Sequence, residues 1–238
     1  MAEKVSWLIT GASRGIGLEL VRQLLSDPAN IVIATCRNPS SATALNALAS
    51  DLVNKGSLHI AQLDITDEDS IQGISSSVQD ILGDGGLDYL LNNAAINVGD
   101  DIGFTLTSRA LENSFRANVT GPALIAQALL PFIEKSNRKL IMNMSSGLAS
   151  IGIDLGPKNA SYSISKTALN MLTYKQAKIR PDLIVVCVDP GWVKTDMGGQ
   201  GAFLEPHESV SQIIKVLTSR KQEHSGGFFR YDGETVPW

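Results

Sequence analysis

The sequence predicts an α/β fold, a doubly wound parallel sheet of about seven strands with helices on both faces, in one domain over residues 1–238. Three observations carry this. Short apolar runs alternate with longer amphipathic stretches from one end to the other, the pattern of repeated strand–helix–strand units. The runs are continuously apolar, as in strands covered on both faces, and not alternating as in half-exposed ones. No Ser/Gly linker, charge block or repeat of solenoid period divides the chain.

In chain order, the runs of strand length are Val5–Thr10, Ile31–Cys36, Leu58–Leu63, Leu87–Asn92, Lys139–Met144 and Leu183–Val188, with a short final strand at Gly227–Tyr231. Helical periodicity spans Gly15–Ser26, Asp67–Leu82, Arg109–Lys135, Ala160–Arg180 and Glu208–Ser219. Pro181 stops the fourth of these, and Pro122 is expected to kink or divide the third. Segment 193–207, glycine-rich and without regular pattern, reads as a loop.

The 238 residues are 43% hydrophobic and 18% charged, with a formal net charge of -4. Mild acidity supplies no attraction to nucleic acid or to an anionic membrane, and neither is expected as a partner. No run approaches the roughly 20 apolar residues of a membrane span, and Met1–Thr10 has no basic leader region, so a cytoplasmic protein is expected. Cys36 and Cys187 each lie in an apolar run and read as reduced core thiols. His59, His207 and His224 are far apart, so no metal is expected.

The turn after the first strand reads Thr10-Gly11-Ala12-Ser13-Arg14-Gly15-Ile16-Gly17. Gly11 permits the tight turn, Gly15 close approach of backbone to a pyrophosphate, and Gly17 close packing of helix on sheet. The helix that opens here offers unpaired N–H groups and a positive dipole end to the phosphate. Steric needs alone also place glycines in such turns, but the position in the first βαβ unit favours a nucleotide. An acid about 20 residues further on would hold the ribose 2′-hydroxyl of NAD. No Asp or Glu occurs from Asn30 to Ser50; instead Arg37, followed by Asn38, stands just past the second strand, and Arg14 lies in the turn itself. Two cations in place of the acid suit the 2′-phosphate of NADP(H).

Tyr162 and Lys166 are four residues apart and share one face of a helix. A neighbouring ammonium, together with a positive oxidised nicotinamide ring, is expected to lower the phenol pKa from near 10 and fit it for proton transfer. Asn143-Met144-Ser145-Ser146-Gly147 closes the fifth strand, the end of such a sheet at which ligands bind. A serine there can hydrogen-bond a carbonyl oxygen and stabilise the developing alkoxide.

These strings together resemble the classical short-chain dehydrogenases/reductases, a Rossmann-fold family. They are TGASRGIG, the Tyr162/Lys166 pair, the Ser145-Ser146 strand end, and Asp189-Pro190-Gly191-Trp192-Val193-Lys194-Thr195 after the sixth strand. By that resemblance Ser146 takes the carbonyl oxygen, and Asn118 in NSFRANVTG is the family's asparagine whose main chain holds a relay water. Asp64, with Ile65 beside it, contacts the adenine, and Asn93-Ala94-Ala95 matches the Asn-Asn-Ala-Gly strand end, with Ala95 in place of the glycine. Pro190, Gly191, Val193 and Thr195 lie along the nicotinamide, and Lys166 also binds ribose hydroxyls. The spacing from Ser146 to Tyr162 is a few residues longer than usual, so segment 150–160 should bulge, and Ser145 stays an alternative to Ser146.

PGWVKTDMGG and GGFFRYDG…PW resemble the C-factor and sniffer-like carbonyl reductases most closely. That resemblance implies NADPH-dependent reduction of a ketone, aldehyde or quinone, with a small-molecule carbonyl or alcohol as partner. Three other readings stay open: an NADP(H)-binding sensor or scaffold without chemistry, an alcohol dehydrogenase working oxidatively, and an extended-type epimerase or dehydratase. The family also pairs through helices corresponding to Arg109–Lys135 and Ala160–Arg180, which implies a homodimer or homotetramer, although some members are monomers.

Overall fold

The computed structural model describes residues 4–51 and 56–238. Met1–Glu3, part of the segment read above for a leader, lie outside the described residues. Seven strands, β1 (Val5–Ile9), β2 (Asn30–Cys36), β3 (Ser57–Gln62), β4 (Tyr89–Asn92), β5 (Leu140–Met144), β6 (Ile184–Asp189) and β7 (Phe228–Arg230), form one sheet. Its order is β3-β2-β1-β4-β5-β6-β7, and every pairing is parallel. This is the doubly wound Rossmann arrangement expected from the sequence.

Strand alternation separates two cores. Trp7, Ile9, Ala34, Leu91, Met142 and Val186 face one side, where Leu20, Val21 and Leu24 of α1 (Gly15–Leu24), Leu45 of α2 (Thr43–Ser50) and Val210, Ile213 and Leu217 of α7 (Pro206–Ser219) cover them. Leu8, Ile33, Leu90, Ile141 and Val185 face the other side. Ile71, Ile74 and Val78 of α3 (Glu68–Leu82), Ile125, Leu129 and Ile133 of α5 (Gly121–Glu134) and Ala177 of α6 (Ala160–Ile179) pack there. The register makes each core continuous: Leu8 sits beside both Ile33 and Leu90, and Leu90 beside Ile141. Burial of each such side chain stabilises the fold by roughly 1.5–3 kcal/mol, which is why continuous apolar runs select central parallel strands.

Three departures from the expected elements have physical causes. Helix α2 was not anticipated; it is short and buries only Leu45, too little amphipathic signal to register. The stretch Arg109–Lys135 is three segments: α4 (Ser108–Phe115), a π-helical turn (Arg116–Thr120) and α5. Pro122 sits in the first turn of α5, where its missing N–H is tolerated. Segment 193–207 is a loop as expected, pinned by a bridge between Val193 and Leu204, and its last two residues already belong to α7. Cys36 and Cys187 are free and buried.

Candidate active site

Strand order reverses between β1 and β4, and at such a switch point the carboxyl ends of the strands open a crevice. A cleft of about 280 Å³ lies there, walled by the glycine turn, the ends of β2 to β5, α6 and the loop after β6.

The turn is shaped by its glycines. Gly11 has φ 68, and a Cβ on it would lie 2.9 Å from the Ala94 Cα. A Cβ on Gly17 would lie 2.3 Å from the Gly11 carbonyl oxygen and 2.7 Å from Asn93 Nδ2, so α1 can start only this close to the turn with glycine there. Asn93 Nδ2 donates to the Thr10 carbonyl at 2.8 Å, and the Ala94 N–H donates to Thr10 Oγ1 at 3.0 Å, tying the end of β4 to the turn. Gly11, Ser13, Arg14, Gly15, Ile16, Gly17, Arg37, Asp64, Ile65, Asn93, Ala94 and Ala95 all line the cleft. Thr195 roofs the turn, its Cγ2 at 3.3 Å from where a Gly15 Cβ would stand.

Arg14 pairs at 3.1 Å with Asp196 across the mouth, with side chains 73% and 77% exposed. Burial works against the Asp64 carboxylate. Hydrogen bonds from the Thr66 N–H and hydroxyl, and the charges of Arg37 and Arg116, outweigh it and hold the pKa below the usual range.

Tyr162 is nearly buried, and Lys166 Nζ lies 5.7 Å from its ring centroid. Lys166 Nζ, fully enclosed, donates to the Met144 carbonyl at 2.7 Å. The Ser146 side chain neighbours the Tyr162 phenol and lowers its pKa, and its Oγ accepts from the Leu148 N–H at 3.2 Å. Ser145 instead points into the core and donates to Asn170 Oδ1 at 2.6 Å. Of the two serines, only Ser146 meets the tyrosine, and it does so despite the long spacing.

Asn118 is fully buried in the π-helical turn. Its Oδ1 accepts from the Ile96 N–H at 2.9 Å, and its Nδ2 donates to the Ile96 carbonyl and to Ser165 Oγ, each at 2.9 Å. Ser165 Oγ in turn donates to the Tyr162 carbonyl at 2.7 Å. The Asn118 side chain thus braces the helix turn that carries Tyr162, with the bend in the α4–α5 rod as its seat.

Burial pushes the Tyr162 phenol up to about 12; the Ser146 side chain lowers it and the Asp189 carboxylate raises it. Burial drives the Lys166 ammonium down to about 7. Asn38, Asn118, Ser146, Gly191 and Val193 stand back from the cleft wall, while Pro190 and Thr195 line it. Asn38 turns to Ser40, Gly191 packs under Tyr231 and Leu204, and Val193 is buried against Leu204. Sequence reasoning missed Thr66 and Ile96 in the wall, each next to a motif residue and with nothing in its own type to signal a ligand, while Asp196 and Met197 there belong to the string PGWVKTDMGG. Among the described residues no helix is long and apolar enough to cross a membrane, and no cluster of His, Cys, Asp or Glu could hold a metal ion.

Residues 6–202 match the family model of the short chain dehydrogenases. An uncharacterized oxidoreductase of Schizosaccharomyces pombe is 30% identical over 98% of this chain and 97% of its own length. The carbonyl reductase Sniffer of D. melanogaster superposes with a TM-score of 0.93 at 33% identity, over 99% of this chain and 100% of that one. An NADPH-bound carbonyl reductase from chicken fatty liver gives a TM-score of 0.91 at 36% identity, over the full length of both chains.

Proposed function

The chain belongs to the short-chain dehydrogenase family, and from that premise we propose that it reduces a ketone, aldehyde or quinone with NADPH, Tyr162 donating the proton. The observation that carries the reading is the convergence at one cleft of Tyr162, the enclosed Lys166 and the glycine turn, with Ser146 beside the phenol.

The cleft fits a dinucleotide on its own geometry: Gly11, Gly15 and Gly17 line its wall with bare backbone, and the N-terminus of α1 opens onto it. The turn's N–H groups and the N-terminus of α1 receive the pyrophosphate. Arg14 and Arg37 take the 2′-phosphate, and Asp64 with Ile65 flanks the adenine end. Lys166 would bind the ribose hydroxyls, and Pro190 and Thr195, which line the same cleft, would border the nicotinamide end. Bound there, NADPH supplies the hydride.

The protein's own groups handle the oxygen and the proton. Ser146 donates to the carbonyl oxygen and holds it against Tyr162. The phenol gives its proton to that oxygen as negative charge develops on it. Its high pKa keeps Tyr162 protonated at neutral pH, the form that reduction needs. Lys166 faces the phenolate left behind and stabilises it, and Asn118 keeps the tyrosine's helical turn in place, its main chain holding the relay water. Following NADPH absorbance against a panel of aldehydes, ketones and quinones tests the reading. NADPH binding with no turnover of any of them would favour a sensor or scaffold instead.

A further inference from the structure

The longer connection between Ser146 and Tyr162 is clasped at both ends. At its far end Asn97 Nδ2 donates to Asn159 Oδ1 at 2.9 Å, Lys158 pairs with Asp100 at 3.0 Å, and the Ala160 N–H donates to the Asp101 carbonyl at 3.0 Å. Those contacts join the loop after β4 to the start of α6. At its near end the partners come from 85 residues and more away. Ser150 Oγ donates to the Pro237 carbonyl at 2.6 Å, and the Gly152 N–H donates to the main-chain oxygen of Trp238 at 2.9 Å. A Cβ on Gly152 would lie 3.0 Å from the Pro237 Cβ, so loop and tail are in full contact.

The tail is itself held. The Val236 N–H donates to the Phe228 carbonyl at 2.9 Å, Thr235 bridges Phe229, and the Trp238 ring stacks on Phe228 with centroids 5.8 Å apart. Strand β7 therefore carries the tail, and the tail carries the loop. Between its two clasps the loop folds back on the serine turn: Leu155 Cδ1 lies 3.3 Å from where a Gly147 Cβ would stand, next to Ser146. Ile151 is 86% exposed and Leu155 is exposed beside it.

We infer that Pro237 and Trp238 are specificity-determining positioning residues, which fix the height of the Ile151–Leu155 wall and with it the size of apolar carbonyl compound that reaches Tyr162. This rests on the reductase reading above. Neither residue touches the reacting atoms; each acts through the loop. A loop released at one end loses its fixed wall, which penalises a large apolar body and leaves a small aldehyde almost unaffected.

The test uses the full chain with NADPH and two probes, propanal and 9,10-phenanthrenequinone, together with hydrogen exchange at the amides of Gly152 and Ile153. In Trp238→Ala and Ser150→Ala the ratio of kcat/KM for quinone over propanal should fall about 3- to 10-fold, the size of one lost hydrogen bond or ring contact. The fall should lie in the KM of the quinone. Exchange at Gly152 should quicken about tenfold as the loop opens locally. Trp238→Phe, which keeps a ring on Phe228, and Ser150→Thr, which keeps the donor, should restore both readouts. An unchanged or raised ratio, or an equal loss on both substrates, would overturn the inference. If the native protein reduces neither compound nor any other carbonyl, the reductase reading fails instead. Exchange at Gly152 then decides the clasp, which is wrong if Trp238→Ala leaves that exchange unchanged.

Discussion

Replacing Arg37 or Arg14 with alanine should weaken NADPH binding and leave NADH binding alone, by amounts that follow from what each arginine gives up. Arg14 must release Asp196, but that pair is 73% and 77% exposed, and pairs so placed are worth about 0.2–1 kcal/mol. A charge-assisted bond to a phosphate contributes roughly 1.5–3 kcal/mol. The difference predicts a loss of about 1–2 kcal/mol for Arg14→Ala, or about 5- to 30-fold in Kd. Arg37 senses Asp64, whose carboxylate is already bonded to Thr66, so little opposes its turn toward the phosphate. Arg37→Ala should lose about one to two decades of NADPH affinity. Asp196→Asn should do the reverse and tighten NADPH about 2- to 5-fold, because it removes both a competitor for Arg14 and a like charge at the mouth. Titration by nucleotide fluorescence gives both constants, for NADPH and NADH, for each variant. Equal losses for NADH and NADPH would show that neither arginine meets the 2′-phosphate.

Three further predictions concern the site's interior. Ser146→Ala should lower kcat about 10²- to 10³-fold by removing a donor to the oxyanion, whereas Ser145→Ala, whose hydroxyl serves Asn170, should affect stability more than turnover; steady-state kinetics beside thermal melts separates the two. Burial lowers the Lys166 pKa from 10.5 to about 7, so the unfolded chain holds this proton more tightly. The cost of burying the charge is complete below pH 7 and falls as pH rises from 7 toward 10.5. The Tm advantage of Lys166→Met over the native protein should therefore be largest at pH 7 and below and should shrink toward pH 10; a constant difference would contradict the burial account. Gly17→Ala should abolish NADPH binding, because its Cβ would stand 2.3 Å from the Gly11 carbonyl; retention of native affinity by fluorescence would contradict the packing described.

Features with a short-range physical cause were legible in the chain. Each strand appears where an apolar run stands, because a strand buried on both faces needs nothing else, and the glycine turn is visible because only glycine fits there. Features set by distant partners were not. The π-helical turn depends on Asn118 bonding Ile96 and Ser165, residues that sequence does not place beside it. The choice between Ser145 and Ser146 turns on Asn170, 25 residues further on. The burial that raises the tyrosine pKa is set by packing, which a spacing of four residues cannot report. The bulge between Ser150 and Asn159 was expected from its length, yet its anchors, Asn97 and the 237–238 tail, come from elsewhere.

The central claim is that Tyr162 is the proton donor. Tyr162→Phe keeps the ring packed where the native ring is nearly buried and deletes only the hydroxyl that Ser146 neighbours. Turnover of the best carbonyl substrate by this variant, with NADPH affinity measured alongside, is the most direct test. The account predicts a fall of about 10²–10⁴ in kcat with NADPH binding unchanged. Near-native turnover by Tyr162→Phe on every substrate the native protein reduces would contradict it.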